Sequence, residues 1–461
     1  MEFVQEEPMS PSAQYLKSSE LSLTILAVLE LEAPIDQSIA MQLLKDVFLP
    51  INYRFSSIMV SKKSGAKVWK RVEVNLKDHV NVPIFPSGMS TQYYDECFNE
   101  YLSKLAMEQF PENIPLWEIH IIKYPTKNAA ENLIFKLHHS LGDGYSLMGA
   151  LLSCLQRLDN PSMPLTFPSR QSNLKPNRHS QGFFRHVPGF FSGLINTAYD
   201  FGWNVLKSSL IEDDKSPIRS GDKGVELRPI VITTTTFSIE HIKQIKTKLQ
   251  VTINDVITGV IIFGTRLYMQ RENQDSSNAN CTALVLLNTR AIGGYKSVND
   301  MIKPNAEMPW GNRFAFLHVS IPKLTAFELN NPLEFVDKAR QLIQRQRNSA
   351  TVYLTGQFLR TIAKLRGPEA TAKYIYSTLN NSSLAISNVM GPVEQMALAN
   401  IPIKGLYFSV AGVPQSLQVT IVSYVDKLRI VMLVEKGFID PNKFKSCIEY
   451  AFEAISKAAL E

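Results

Sequence analysis

The amino-acid sequence predicts a mixed α/β or α+β chain folded in two halves, and three observations lead there. Short strand-like apolar runs and longer helix-periodic segments occur in both halves, the pattern of sheets covered by helices. A proline-rich polar stretch separates the halves. The length of 461 residues suffices for two cores at roughly 100–200 residues per domain. The expected division is 1–165, a linker over 166–228, and 229–461.

In the first half, 21–31 is a strongly apolar strand-like run and 38–47 is helix-periodic. Phe98, Leu102, Leu105 and Phe110 recur at helical spacing. Segments 117–124 (WEIHIIKY) and 132–139 (NLIFKLHH) predict two strands around a Pro-Thr-Lys-Asn turn, and a helix over 146–158 closes this half. The second half opens with a strand at 229–237, two helices within 239–271 and a strand at 282–288. Further strands are predicted at 314–321, 384–389, 418–425 and 428–435. A last helix starts at Asp440 as N-cap, with Pro441 in the first helical position.

Composition excludes several classes. Hydrophobic residues at 45% and charged residues at 20% fit neither a disordered chain nor a multi-span membrane protein. The net charge of +6 comes from basic residues dispersed among acidic ones, so no nucleic-acid partner is expected; a weak attraction to anionic membranes or phosphate-bearing ligands stays open. Cys97, Cys154, Cys281 and Cys447 are far apart, which predicts neither a zinc site nor a disulfide scaffold and fits a reducing, cytosol-facing environment. The acidic start MEFVQEEPMSPSAQYLKSSE has no secretory leader pattern.

The stretch 160–228 carries Pro161, Pro164, Pro168, Pro176 and Pro188 with many polar residues. Within it, 189–210 is rich in apolar residues but is interrupted by Asn196, Asp200 and Asn204, spaced four apart. That spacing puts the three on one helical face. An amphipathic helix is therefore expected, lying on a membrane or on the protein itself, and a buried linker helix fits the same residues equally. The flanking Arg178, His179, Arg185, His186 and Lys207 favour headgroups.

The segment NLIFKLHHSLGDGYSL is the best candidate for chemistry. In a strand, Leu133, Phe135 and Leu137 share a face with His139, whereas Ile134 and Lys136 share the other with His138. A histidine on the apolar side is desolvated and kept neutral, hence a proton acceptor. Gly142 and Gly144 bracket Asp143 in an expected tight turn, where glycine permits unusual backbone angles; Asp143 can fold back on the histidine or on an arginine. Such a base could take the proton of a substrate hydroxyl attacking a thioester and return it to the thiolate. A merely structural capped turn fits the same residues. Adjacent strand residues point apart and HExxH is missing, so no metal is expected. GYSLMG is one residue too long for a G-x-S-x-G nucleophile elbow.

His138-His139-Ser140-Leu141-Gly142-Asp143-Gly144 resembles the HHxxxDG signature of CoA-dependent acyltransferases and condensation domains. Pro115-Leu116-Trp117-Glu118, Asn254-Asp255-Val256, Gly311-Asn312, Ser387-Asn388-Val389-Met390-Gly391-Pro392 and the late strand over 418–424 resemble the wax ester synthase/diacylglycerol acyltransferase family, its plant branch above all, from about Ser10 onward. Met390 departs from the family's SNVPGP, which makes that turn less rigid. Asp200-Phe201-Gly202-Trp203 resembles the DFGWG motif of BAHD acyltransferases, but stands too early and has Asn204 in place of glycine.

The resemblance implies two chloramphenicol-acetyltransferase-like domains, each a mixed sheet flanked by helices, with the active site at their interface. It implies transfer of a long fatty acyl group from acyl-CoA, as co-substrate, to a fatty alcohol or to diacylglycerol, with no bound cofactor. His139 would be the proton acceptor, His138 a supporting residue, Asp143 a structural partner pairing with Arg290, and Gly144 part of the turn. Asn254 would face the active site with Thr252 as helix N-cap, although a purely capping role for Asn254-Asp255 fits equally. The expected location is the endoplasmic reticulum membrane, with the cell membrane second and the catalytic domains facing the cytosol. A BAHD-like enzyme on a small alcohol or amine, and a catalytically silent lipid-binding protein, are the competing expectations.

Overall fold

The computed structural model describes residues 6–62, 67–166, 187–290, 298–303, 306, 309–348 and 350–461, with the side chains of 187–196, 198 and 348 left aside. Two mixed sheets organise the chain. The seven-stranded sheet runs in the order Val80–Asn81, Trp117–Ile122, Glu131–His138, Thr24–Leu31, Ile401–Ala411, Met396–Leu398 and Gln156–Arg157. The six-stranded sheet runs Phe314–Ser320, Thr282–Asn288, Leu384–Met390, Leu417–Tyr424, Lys427–Glu435 and Ile230–Ser238. A small sheet of Glu6–Pro8, Lys67–Arg71 and Ser57–Ser61 lies apart. Each large sheet has its own apolar core, and this mixed α/β architecture with two helix-flanked sheets is the one expected.

The sheets do not follow the linear division 1–165 and 229–461. Met396–Leu398 and Ile401–Ala411, from late in the chain, complete the seven-stranded sheet by pairing with Gln156–Arg157 and Thr24–Leu31. The expected helix over 146–158 stops at Ser153, because the chain turns at Cys154 so that Gln156 and Arg157 can pair with Met396 and Ala397. The run 21–31 becomes a strand only from Thr24. The helix expected at 38–47 is Gln37–Leu43, continued by a wider π turn over Leu44–Phe48.

Central strands hold the paired-histidine segment in place. All eight residues of Glu131–His138 are buried, flanked by Thr24–Leu31 and Trp117–Ile122 on either side. In the other half, helix Ile253–Glu272 is buried along most of its length between helices Leu333–Asn348 and Pro441–Leu460. Glycine permits that closeness: a Cβ on Gly259 would lie 2.8 Å from the Val336 backbone, and one on Gly264 2.9 Å from that of Ile448. The N-terminus of this helix is fixed by Thr252 and Asp255 in a reciprocal capping box. Between the two sheets, Arg429 grips Glu30 through two hydrogen bonds of 2.7 and 2.8 Å, in space that Gly405 leaves free.

Helix Val187–Ser209 occupies the expected amphipathic segment but is turned the opposite way from an ordinary surface helix. Asp200, Asn204 and Lys207 are buried, whereas Tyr199 (62% exposed), Trp203, Leu206 and Leu210 (76% exposed) face outward. Asp200 is held by Arg345 at 2.6 and 3.2 Å, and Lys207 by Asp213 at 2.8 Å. Phe201 packs edge-on to Phe358 of helix Thr351–Asn380, a helix kinked at Gly367 (φ 85°). Asn196, Arg178, His179, Arg185 and His186 lie outside the described residues or side chains. No helix among the described residues is long and apolar enough to cross a membrane.

Candidate active site

The strand Glu131–His138 ends at the junction of the two sheets, and its alternation separates the paired histidines. Phe135, Leu137 and His139 line a cavity of about 1080 Å³ between the halves, a volume at the upper end for small-molecule sites. His138 points the other way, into the protein. Its Nδ1 accepts the backbone N–H of Ser140 at 3.1 Å and its Nε2 lies 3.1 Å from Ser22 Oγ. An Nδ1 that accepts carries no proton, so Nε2–H donates to Ser22. Complete burial holds the His138 pKa well below the ordinary histidine value.

His139 is oriented from the opposite half of the chain. Asn312 Nδ2 donates to the His139 carbonyl at 2.9 Å, which turns Oδ1 toward His139 Nδ1, also at 2.9 Å. An amide oxygen only accepts, so Nδ1 carries the proton. Nε2 is then the unprotonated nitrogen of the neutral ring. Burial lowers the His139 pKa; the Asp143 charge and the bond to Asn312 oppose that shift without reversing it. Phe314 packs 5.8 Å from the ring.

Asp143 is saturated by structural partners. Arg290 meets it with two bonds, Nη1 to Oδ2 at 2.7 Å and Nη2 to Oδ1 at 3.1 Å, the expected pair. The backbone N–H groups of Ser146 and Arg313 add bonds at 3.0 and 2.9 Å, the first making Asp143 the N-cap of helix Gly144–Ser153. Arg290 continues to the Gly311 carbonyl at 2.7 Å and to Ser146 Oγ at 3.1 Å. Trp310 Nε1 and Arg54 Nη1 both donate to the Leu141 carbonyl, at 2.8 and 3.1 Å. The turn after the histidines is thus locked to the segment 309–313 by side chains from both halves.

The glycines of this turn serve a different purpose from the expected one. Neither Gly142 nor Gly144 has a positive φ; both are needed for space. A Cβ on Gly144 would meet Val389 Cγ2 at 2.8 Å, and one on Gly142 would lie 3.0 Å from Ser146 Cβ. Asn254 lines the cavity and accepts from Asn388 Nδ2 at 3.3 Å. It does not cap its helix, a task done by Thr252 and Asp255. Met390 ends strand Leu384–Met390, and Gly391 N–H then donates to Ser423 Oγ at 3.3 Å.

Asn312, Ser146 and Trp310 are the site residues that sequence reasoning left without a role. Asn312 was visible only as part of Gly311-Asn312, since its partner His139 is 173 residues away. The DFGW stretch at 200–203 is part of the outward-turned helix, with Asp200 committed to Arg345. Among the described residues no cluster of His, Cys, Asp or Glu could hold a metal ion.

Comparison with known proteins agrees with this geometry. Residues 49–257 match the model of the wax ester synthase/diacylglycerol acyltransferase catalytic domain, and residues 310–456 match that of the WS/DGAT C-terminal domain. The chain is 28% identical to wax ester synthase/diacylglycerol acyltransferase 4 of Arabidopsis thaliana, over 99% of this chain and 91% of that protein. The wax ester synthase/diacylglycerol acyltransferase from Marinobacter aquaeolei VT8 shares the fold, with a TM-score of 0.59 at 16% identity over 98% of this chain and 99% of that one. The starter condensation domain of rhizomide synthetase shares it too, with a TM-score of 0.56 at 10% identity over 99% and 95% of the two chains. With its paired histidines, its interdomain cavity and both family domains present, the chain belongs to the wax ester synthase/diacylglycerol acyltransferase family and is an acyltransferase.

Proposed function

We propose that this acyltransferase moves a long fatty acyl group from acyl-CoA to a long-chain alcohol, giving a wax ester, and to diacylglycerol, giving triacylglycerol. The observation that carries this is the orientation of His139, whose protonated Nδ1 is held by Asn312 on the wall of the interdomain cavity. Nε2 accepts the proton of the acceptor hydroxyl as that oxygen attacks the thioester carbonyl. The C–O bond forms, the C–S bond breaks, and the proton passes from Nε2 to the departing thiolate, so that ester and free CoA leave together. Asp143, with its oxygens already occupied, fixes the turn and takes no proton. His138 supports the strand end from the other side, Gly144 lets the halves approach, and Asn254 contributes a polar group to the cavity wall.

A long chain fits the apolar part of this wall, which includes Leu16, Leu23, Phe314, Phe316, Ile375 and Leu379. Each methylene withdrawn from water there stabilises binding by about 0.8 kcal/mol. Such substrates dissolve in membranes, and the enzyme works on a bilayer surface: the endoplasmic reticulum membrane, with the cell membrane second, and the catalytic halves toward the cytosol. What supports this is the outward apolar face of Tyr199, Trp203, Leu206 and Leu210, joined by exposed Tyr353 and Leu365 on helix Thr351–Asn380. Exposed Arg360, Lys364 and Arg366 on that helix suit anionic headgroups.

An acceptor screen tests the proposal. Purified protein receives labelled palmitoyl-CoA with hexadecanol, with dipalmitoylglycerol, or with a phenolic alcohol. Labelled wax ester and triacylglycerol are expected. Ester formed with the phenol alone would overturn the acceptor assignment, and no thiol release with any acceptor would leave a silent lipid-binding protein.

A further inference from the structure

The cavity has two unlike arms, and their difference assigns an end to each part of an acyl thioester. The six-stranded sheet has Ile230–Ser238 at one edge and Phe314–Ser320 at the other. Toward the Phe314–Ser320 edge the lining is the apolar set described above, with Arg313, Gln344 and Arg347 among it. Toward the other edge Asn254, Asn388 and Ser423 stand among apolar residues such as Ile239, Ile242 and Leu428, and helix Ile239–Leu249, which follows the edge strand directly, adds Lys243 and Lys246. One turn apart, these two lysines stand on the same helical face.

We propose that Lys243 and Lys246 bind the phosphates of the CoA nucleotide, with the pantetheine arm running past Ser423, Asn388 and Asn254 to His139. This rests on acyl-CoA being the donor, as proposed above. The chemistry of the two partners matches along their length. CoA carries its 3′-phosphate and diphosphate at one end, amides able to exchange hydrogen bonds with asparagine and serine in the middle, and the thioester at the other end. Lysine ammonium groups bind phosphate as point charges. Among the described residues the one ion-pair partner of Lys243 is Glu240, at 3.7 Å with both side chains more than half exposed, a pair too weak to compete with phosphate. The arm that ends in Lys243 and Lys246 thus delivers the thioester to the histidine while the arm lined by Leu16, Leu23, Phe314 and Phe316 takes the hydrocarbon.

The test compares two donors with the same acyl group: dodecanoyl-CoA, and dodecanoyl-N-acetylcysteamine, which lacks the nucleotide. In the Lys243→Glu/Lys246→Glu variant, KM for dodecanoyl-CoA should rise by about tenfold or more, with kcat and the alcohol KM held. Kinetics with the truncated donor should match those of the unchanged protein. The pair Lys77→Glu/Lys104→Glu, outside the cavity lining, makes the same change in net charge and should leave the CoA KM unaltered. An unchanged CoA KM in the double variant overturns the proposal, as does an equal loss with both donors or an equal rise in the charge control. A selective rise for Arg347→Glu instead, from the helix packed at the opposite edge, would move the nucleotide to that end. Failure of the acyl-transfer proposal looks different: the unchanged protein then releases no thiol from either donor. Calorimetry with CoA alone still decides the lysines in that case, weaker binding in the double variant supporting them and equal binding overturning them.

Discussion

Asn312 holds both ends of the His139 backbone-to-ring unit: its Nδ2 donates to the histidine carbonyl and its Oδ1 accepts from the ring Nδ1, each at 2.9 Å. The first bond fixes the amide, and the amide then fixes the tautomer. Asn312→Ala should lower kcat by roughly tenfold to a hundredfold, a part of the ~10²–10⁴ contributed by a positioned base, with the acyl-CoA KM little changed. Asn312→Asp places a carboxylate beside Nδ1, which favours the imidazolium. The acid limb of its kcat/KM profile should therefore move to higher pH. A purely structural asparagine would change stability and leave the profile where it was.

The Asp143–Arg290 pair is almost fully buried, with side chains 8% and 1% exposed. Asp143→Ala leaves the guanidinium without its charge partner, and such a loss costs about 3–5 kcal/mol. A fall in thermal midpoint is expected, and smaller damage when Arg290→Met is added, because the two changes share one interaction. Additive losses in a double-mutant cycle would contradict the pairing.

Four buried histidines make the fold sensitive to acid. Burial lowers the pKa values of His79, His138 and His139 and brings His318 down to about 4. Neither ring nitrogen of His318 has a hydrogen-bond partner among the described residues. The unfolded chain binds protons at these positions from about pH 6.5 downward while the folded chain does not. Stability is therefore full above that pH and falls as pH drops toward the folded values, by up to ~1.4 kcal/mol per unit for each group. His318→Met should narrow the difference in thermal midpoint between pH 7 and pH 5. An unchanged difference would show that His318 takes up its proton alike in the folded and unfolded states, and would contradict the lowered value.

The outward apolar face predicts membrane binding that depends on particular side chains. Trp203→Ser combined with Leu210→Ser should reduce flotation with anionic vesicles several-fold and leave turnover of a short, water-soluble acyl-CoA intact. Equal flotation of variant and unchanged protein would rule this face out as the contact.

How much of this was legible in the sequence varied with the range of the interaction. The alternation in NLIFKLHH placed His139 with Phe135 and Leu137 because strand parity is local, and the cavity lining follows it. The Thr252 cap was legible for the same reason. The Asp143–Arg290 pair spans 147 residues; the residues alone left Asp143 a choice of the histidine or an arginine, and Arg290 was singled out only alongside the family resemblance. The direction of helix Val187–Ser209 was not legible. Its polar side faces inward because Arg345 and Asp213 await it, and neither partner shows in the helix's own pattern. Likewise nothing in Ile401–Ala411 announces that it pairs with Thr24–Leu31, since sheet membership is decided by distant partners. The two turn glycines were assigned to backbone freedom, whereas the need is space against Val389 and Ser146.

The most direct measurement is single-turnover ester formation by His139→Ala, alongside its thermal midpoint and its affinity for acyl-CoA. With His139 as the base, ester formation falls by at least ~10²-fold while the protein stays folded and still binds the donor. Near-normal turnover in that folded variant would contradict the assignment and return the paired histidines to a structural turn.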